Sequence, residues 1–217
     1  MTFYIEDKEY CFDNNIMDEL YLSEGKEGTV YKYKNLAIKI YHEHSKKDRL
    51  DENTCELLKR INTKRILLPR KLVYNKDKKF IGYTTDYHQK YSLDNLKRMK
   101  IKSLKEELQL IKKDIELLSK NNVTIDDLYI DNIILSDGLY FIDPGSFWIS
   151  KNNRYLSYDN KNKMNNFIIN NIFTKAGDIP KKKYQILNRR LNYDEFVDEA
   201  LPNSKDSTHS YLKKLVM

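Results

Sequence analysis

Glycine is scarce in this chain, with six in 217 residues, and proline, cysteine and tryptophan are scarcer still at four, two and one. Cys11 and Cys55 lie far apart and fit neither a C-x-x-C pair nor a metal-ligand spacing, which argues against a disulfide framework and agrees with a reducing compartment. His42, His44, His88 and His209 show no ligand spacing and carry no assigned role. No apolar run approaches the roughly 18 residues of a membrane-spanning helix. The opening MTFYIEDKEY turns charged at Glu6, without the apolar core of a secretory signal. A soluble, cytoplasmic protein with no membrane partner is expected.

Charge is what the chain has instead. Lys and Arg number 39 against 32 Asp and Glu, a net charge of +7, and charged residues make up 33% beside 40% hydrophobic. The isoelectric point is near 9.1 and the mean hydropathy −0.74. That balance suits a globular protein with an acidic ligand such as a nucleotide. Most of the lysines are read as solvated surface, and nucleic acid is not an expected partner. The length suffices for two lobes around a sizeable core.

The most informative stretch is Val123 to Phe147, VTIDDLYIDNIILSDGLYFIDPGSF. Ile133-Ile134-Leu135 reads as a strand, Ser136-Asp137-Gly138 as a turn and Leu139 to Ile142 as the return strand. Such pairing brings the open ends together, so Asn132 and Asp143 are expected side by side, with Asp127 on the loop that leads in. Hard oxygen donors of this kind bind magnesium together with substrate phosphates. The carboxylates of Asp126, Asp127, Asp131 and Asp143 would repel one another without a cation or solvent between them. An Asx-rich surface hairpin is the plain alternative.

A second stretch, LSEGKEGTV from Leu22 to Val30, places Gly25 and Gly28 at an exposed turn between strand-like runs. There backbone N–H groups can approach phosphate oxygens, although an ordinary hairpin turn is also compatible. In the β-rich run that follows, YKYKNLAIKIY, Lys39 sits among apolar neighbours. That is a costly place for an ammonium without an anion, unless its stem snorkels.

In order along the chain, these segments resemble the protein kinase-like superfamily, in particular small bacterial-type, eukaryotic-like Ser/Thr kinases with a shortened C-lobe. Ser23 to Val30 is similar to G-x-G-x-x-G-x-V with Ser23 in the first glycine's place. Ala37-Ile38-Lys39 is similar to V-A-I-K, Asp127-Leu128-Tyr129-Ile130-Asp131-Asn132 to D-L-x-x-x-N, and Asp143-Pro144-Gly145 to D-F-G. The resemblance covers about residues 20 to 147. It implies an α+β, two-lobed fold: an antiparallel, five-stranded β-rich N-lobe over residues 1–87, a mainly helical, shortened C-lobe over 88–217, and ATP with magnesium in the cleft.

The roles it implies are Asp127 as catalytic base, Lys39 as the phosphate-binding catalytic lysine, and Asn132 and Asp143 as magnesium ligands. Nucleotide contacts would come from Gly25, Lys26, Gly28, Val30, Ala37 and Lys39, from Thr84 or Thr85 near the gate, and from Asp86 and Tyr87 at the hinge. In the family a helix glutamate pairs with the strand lysine. Counting without gaps puts Thr54 there, and Glu56 is preferred over Glu52 as the nearest substitute.

The implied function is an ATP- and magnesium-dependent phosphotransferase, a minimal Ser/Thr protein kinase with a protein hydroxyl as acceptor. The alternatives are a kinase of the aminoglycoside-phosphotransferase type acting on a small hydroxylated molecule, and a nucleotide-binding pseudokinase serving as an interaction module. Three departures stand out. Ile125-Asp126-Asp127 replaces H-R-D, Pro144 replaces the phenylalanine of D-F-G, and no A-P-E follows.

The remaining pattern predicts a hairpin over residues 3–12 capping the first lobe, a helix over 45–61, and two strands around Asn75-Lys76-Asp77. A short helix is expected at Ser92 to Leu96, and an amphipathic helix on Leu104, Leu108, Ile111, Ile115 and Leu118. C-terminal helices are expected around 164–173, 184–191, 194–201 and 207–215, with Asp159 as a candidate loop anchor. The basic clusters at 181–183 and 189–190 read as solvated faces, with contact to an acidic partner as the sharper alternative.

Overall fold

Short alternating segments joined by tight turns build an antiparallel sheet from the first half of the chain. The computed structural model describes residues 1–45, 49–126, 128–151, 154–173, 193–201 and 207. The fold is α+β. Contacts divide the chain into one unit of Met1–Thr63, Leu67–His88 and Asp143–Trp148, and a second of Lys64–Ile66, Gln89–Ile142 and Ile149–Met217.

The first unit holds seven strands: β1 (Thr2–Ile5), β2 (Lys8–Cys11), β3 (Tyr21–Glu24), β4 (Gly28–Tyr33), β5 (Leu36–Tyr41), β6 (Lys71–Tyr74) and β7 (Phe80–Asp86). Their order is β2-β1-β6-β7-β5-β4-β3, with every neighbour antiparallel. The expected five strands therefore become seven. The N-terminal hairpin joins the sheet, pairing Tyr4 with Tyr74 and Ile5 with Val73. Its turn, and the turns after β4 and β6, place Glu6, Lys34 and Lys78 at φ of 54°, 57° and 57°. Left-handed backbone is thus carried here by residues other than glycine, at a cost of about 1–2 kcal/mol each.

Period-two alternation sorts β5 into two faces. Ile38 and Ile40 point into a core with Phe3, Ile5, Met17 and Val73, flanked by Tyr31, Tyr33 and Leu36. Met17 comes from α1 (Asn14–Leu20), a helix not foreseen from the sequence, which starts where Asp13 caps the Ile16 N–H at 2.8 Å. The opposite face of β5 carries Ala37, Lys39 and Tyr41. The helix expected over 45–61 is shorter. Asp51 caps the Thr54 N–H at 2.8 Å, so α2 runs only over Glu52–Lys59 and buries Cys55 and Leu58.

In the second unit, α3 (Ile101–Lys120) buries Leu104, Leu108, Ile111, Ile115 and Leu118 completely, in keeping with its helical spacing. Following β8 (Val123–Thr124), strands β9 (Ile133–Leu135) and β10 (Leu139–Phe141) form the expected hairpin in the register Leu135 to Leu139 and Ile133 to Phe141. Residues 93–98 form a 3-10 helix rather than an α-turn, with Ser92 as its cap. Further on, α4 (Leu156–Phe167) continues as π-helix through Ile168–Phe173, and α5 covers Tyr193–Ala200. The expected helices at 184–191 and 207–215 and the basic clusters at 181–183 and 189–190 lie outside the described residues, Ser207 apart. No described helix is long and apolar enough to cross a membrane.

Buried polar side chains fix the irregular backbone of this unit. Asp114, 3% exposed in α3, accepts the N–H groups of Lys64 at 2.9 Å, Arg65 at 2.5 Å and Ile66 at 3.0 Å. Beside it Arg65 makes a bidentate pair with Glu107, at 2.5 and 2.9 Å. Replacing Asp114 would strand three donors, each worth about 1–3 kcal/mol when buried and unpaired. Asp114→Ala is expected to lower stability by about 3 kcal/mol or more, measured by urea unfolding, whereas a loss below about 1 kcal/mol would mean that water replaces the carboxylate.

Candidate functional site

The face of the sheet that carries Lys39 is defined by register. Val30 on β4 and Tyr83 on β7 lie directly opposite Lys39, and Thr85 lies opposite Ala37. Val30, Ala37, Lys39, Tyr83 and Thr85 therefore share one face. Thr84 pairs with Ile38 and belongs to the other. Its hydroxyl is buried and has no hydrogen-bond partner among the described residues. Of the two gate candidates, the fold thus puts Thr85 on the lysine's face and turns Thr84 away. Tyr83, which the sequence reading did not single out, stands beside the lysine.

Lys39 is 7% exposed, and its ammonium has two carboxylate partners: Glu27 Oε2 at 2.7 Å and Asp143 Oδ1 at 2.5 Å. Around it are the Tyr41 ring, 5.9 Å from Nζ, and the Tyr83 hydroxyl, which donates to Asp143 Oδ1 at 3.4 Å. Burial first, then the charge of Asp143, holds the Tyr83 phenol well above its ordinary pKa, so it stays protonated and remains a donor. Burial also raises Tyr41, whose hydroxyl lacks a partner among the described residues. It pushes the Cys55 thiol up to about 12.

Asp143 reaches this position because the chain turns sharply there. Its φ of 59° and ψ of 72° are left-handed, a conformation that aspartate tolerates better than most residues. A 3-10 turn, Pro144–Ser146, follows at once. Both contacts to Asp143 fall on Oδ1, and among the described residues Oδ2 takes no hydrogen bond. A hard oxygen donor beside a buried lysine fits a magnesium-bound phosphate chain.

Glu27 was not foreseen as the lysine's partner. It lies at the tip of the turn between Gly25 and Gly28, and its own carbonyl is held by the Ser45 hydroxyl at 2.7 Å and the His42 N–H at 2.9 Å. Glu56, the expected partner, is engaged elsewhere, with Lys59 at 3.0 Å. Glu52 takes the Tyr74 hydroxyl at 2.8 Å, and Thr54 bonds the Asp51 cap.

The two motif glycines differ. Gly25 is exposed, donates to the Gly28 carbonyl at 3.0 Å, and has open space where a Cβ would stand. Gly28 is buried, contrary to the expected exposed turn, and a Cβ would lie 2.3 Å from the Ile40 carbonyl oxygen. Gly82 plays the same part on β7, at 1.9 Å from the Lys39 carbonyl oxygen. Lys26 is exposed. At the expected hinge, Asp86 pairs with Arg70 at 3.2 Å, and the Tyr87 N–H bonds the Asn35 carbonyl at 2.9 Å.

In the second unit Asn132 closes the hairpin, its carbonyl accepting the Ile142 N–H at 2.8 Å. Asp127 lies outside the described residues. The segment before it is anchored by α4. The Asn160 amide bonds the Ile125 N–H at 3.0 Å and the Val123 carbonyl at 2.9 Å, while Lys163 reaches the Ile125 carbonyl and Asp126, both at 3.1 Å. Asn160 and Lys163 were not foreseen in this role. Neither a family model nor a curated protein matches the chain.

The contrast between the glycines gives a direct check. Gly25→Ala should change stability by less than about 0.5 kcal/mol. Gly28→Ala should cost about 2 kcal/mol or more, because the obstacle is backbone. Equal thermal unfolding midpoints for the two variants would refute the assignment.

Proposed function

We propose that the chain is an ATP- and magnesium-dependent phosphotransferase of the protein kinase-like kind, acting on a hydroxyl acceptor and most specifically a minimal Ser/Thr protein kinase. The observation that carries the proposal is the Lys39–Asp143 ion pair. Both residues were singled out from sequence motifs of one family, and they stand 104 positions apart. Their meeting at one point supports the reading. On this reading the N-lobe is residues 1–87 and the C-lobe 88–217, while contacts group Asp143–Trp148 with the first unit and Lys64–Ile66 with the second.

In the transfer, the bond between the γ-phosphorus and the β,γ-bridging oxygen breaks and a bond from phosphorus to the acceptor oxygen forms. ADP departs, and the acceptor proton passes to a base, the role given to Asp127. Lys39 binds phosphate oxygens, exchanging one carboxylate for another anion. Val30, Ala37 and Thr85 supply the face on which a flat base would lie. Asp143 would hold magnesium, a role the sequence motif gives to Asn132 as well, and the bound metal would neutralise charge on the phosphates. Such catalysis is positioning and charge stabilisation.

ATP with magnesium should raise the unfolding midpoint of the protein, and a nucleotide concentration of 100 times Kd corresponds to about 2.7 kcal/mol. Asp143→Ala should lose the magnesium-dependent part. Asp127→Ala should bind ATP normally but lose transfer of label from γ-labelled ATP, with the loss in kcat. Absence of any stabilisation of the folded wild type by ATP with magnesium rejects the proposal.

A further inference from the structure

Glu27 is the one carboxylate at the lysine that no sequence motif accounts for, and its surroundings are built for it. Its carbonyl is clamped by His42 and Ser45, which fixes the backbone of the turn tip. Its side chain is 21% exposed and meets Lys39 at 2.7 Å. On its far side lies Gly145, where an added Cβ would come within 2.8 Å of both Glu27 carboxylate oxygens. Gly145 is thus small because Glu27 occupies that space. The acidic residues at the start and middle of α2 are all spent on other partners: Asp51 on Thr54, Glu52 on Tyr74 and Glu56 on Lys59. The helix turn nearest the lysine presents Cys55, which is fully buried and whose thiol stays neutral at physiological pH.

We infer that Glu27 is the positioning residue for Lys39, supplied by the glycine turn instead of by a helix, and that it holds the ammonium toward the phosphates during transfer. The inference rests on the phosphotransferase reading. Its physical content is a division of labour between two carboxylates. Asp143 would have to release the lysine to take a cation, and until the phosphates reach the lysine an ammonium with no second anion would compete with the metal for Asp143. With Glu27 in place, Lys39 keeps one partner while Asp143 changes its own.

The test uses the full chain with magnesium ATP as the probe, following ADP release, nucleotide affinity by calorimetry, and acetylation of Lys39 by acetic anhydride read by mass spectrometry. Glu27→Gln removes the charge and keeps the shape. Gly145→Ala leaves Glu27 in the sequence but pushes its flexible carboxylate aside. Each should keep ATP affinity within about threefold, lower kcat about tenfold, and raise the magnesium concentration needed for half-maximal rate. Glu27→Asp should recover part of the loss. Lys39, no longer shielded by two carboxylates, should be acetylated several times faster relative to the other lysines. Wild-type kcat and magnesium dependence in either folded variant overturns the positioning role. Unchanged Lys39 acetylation in both overturns the pairing. Should Glu27→Gln fail to fold, Gly145→Ala decides alone. A wild type that binds no magnesium ATP defeats the phosphotransferase reading instead, and the acetylation comparison still judges the Glu27 pairing.

Discussion

An ammonium buried to 7% exposure is the constraint around which the sheet-bearing unit is arranged. Taking such a group out of water is expensive unless opposite charge comes with it, and stripping one partner from a buried pair typically costs about 3–5 kcal/mol. On the Asp143 side the cost is softened, because that carboxylate is 36% exposed. Two remote segments must therefore reach β5: the turn that carries Glu27, and the left-handed corner that carries Asp143. Each is held in place by something other than the lysine. Ser45 and His42 fix the first, and the 3-10 turn after Pro144 follows the second. A lysine in this setting specifies which loops meet, and it does so more by the penalty of failure than by the strength of the pairs.

The scarcity of glycine takes on meaning in the same unit. Among the described residues no glycine has positive φ, and the left-handed positions belong to Glu6, Lys34, Lys78, Asn122 and Asp143. Two glycines instead stand where a Cβ would strike backbone, Gly28 against Ile40 and Gly82 against Lys39. Both contacts involve the strand that bears the lysine. Close approach at β5, rather than freedom at a turn, is what these residues provide. Reading Gly28 as an exposed turn followed from its spacing to Gly25, and spacing alone does not distinguish the two uses.

What was legible in the sequence is what local pattern encodes. The spacing of Leu104, Leu108, Ile111, Ile115 and Leu118 defined α3, and Ser136-Asp137-Gly138 between apolar triplets defined the β9–β10 hairpin. The β-rich run around Ala37-Ile38-Lys39 announced β5, and only the sheet register showed which face the lysine takes. Partner choice was not legible. Nothing local says that Lys39 takes Glu27 and leaves Glu56 to Lys59, because a carboxylate one helical turn from a lysine always has a partner at hand. The helix α1 was missed because its apolar stripe is short, although Asp13 two residues before Asn15-Ile16 is an ordinary capping signal. The enlargement of the sheet was missed because β1 pairs with a strand some seventy residues later, a choice set by the core that Phe3 and Ile5 complete.

The second unit shows where such nonlocal choices concentrate. Helices and strands satisfy their own backbone, so a buried polar side chain is needed chiefly where the chain is irregular. Asp114 serves residues 64–66, and Asn160 serves Val123 and Ile125. Lys163 adds a cation at Ile125 and Asp126. A loop with consecutive carboxylates needs its positive charge from outside, and α4 provides it. Both anchors are nonlocal, Asn160 reaching back 35 positions to Ile125 and Lys163 37 positions to Asp126, and no local pattern announces either.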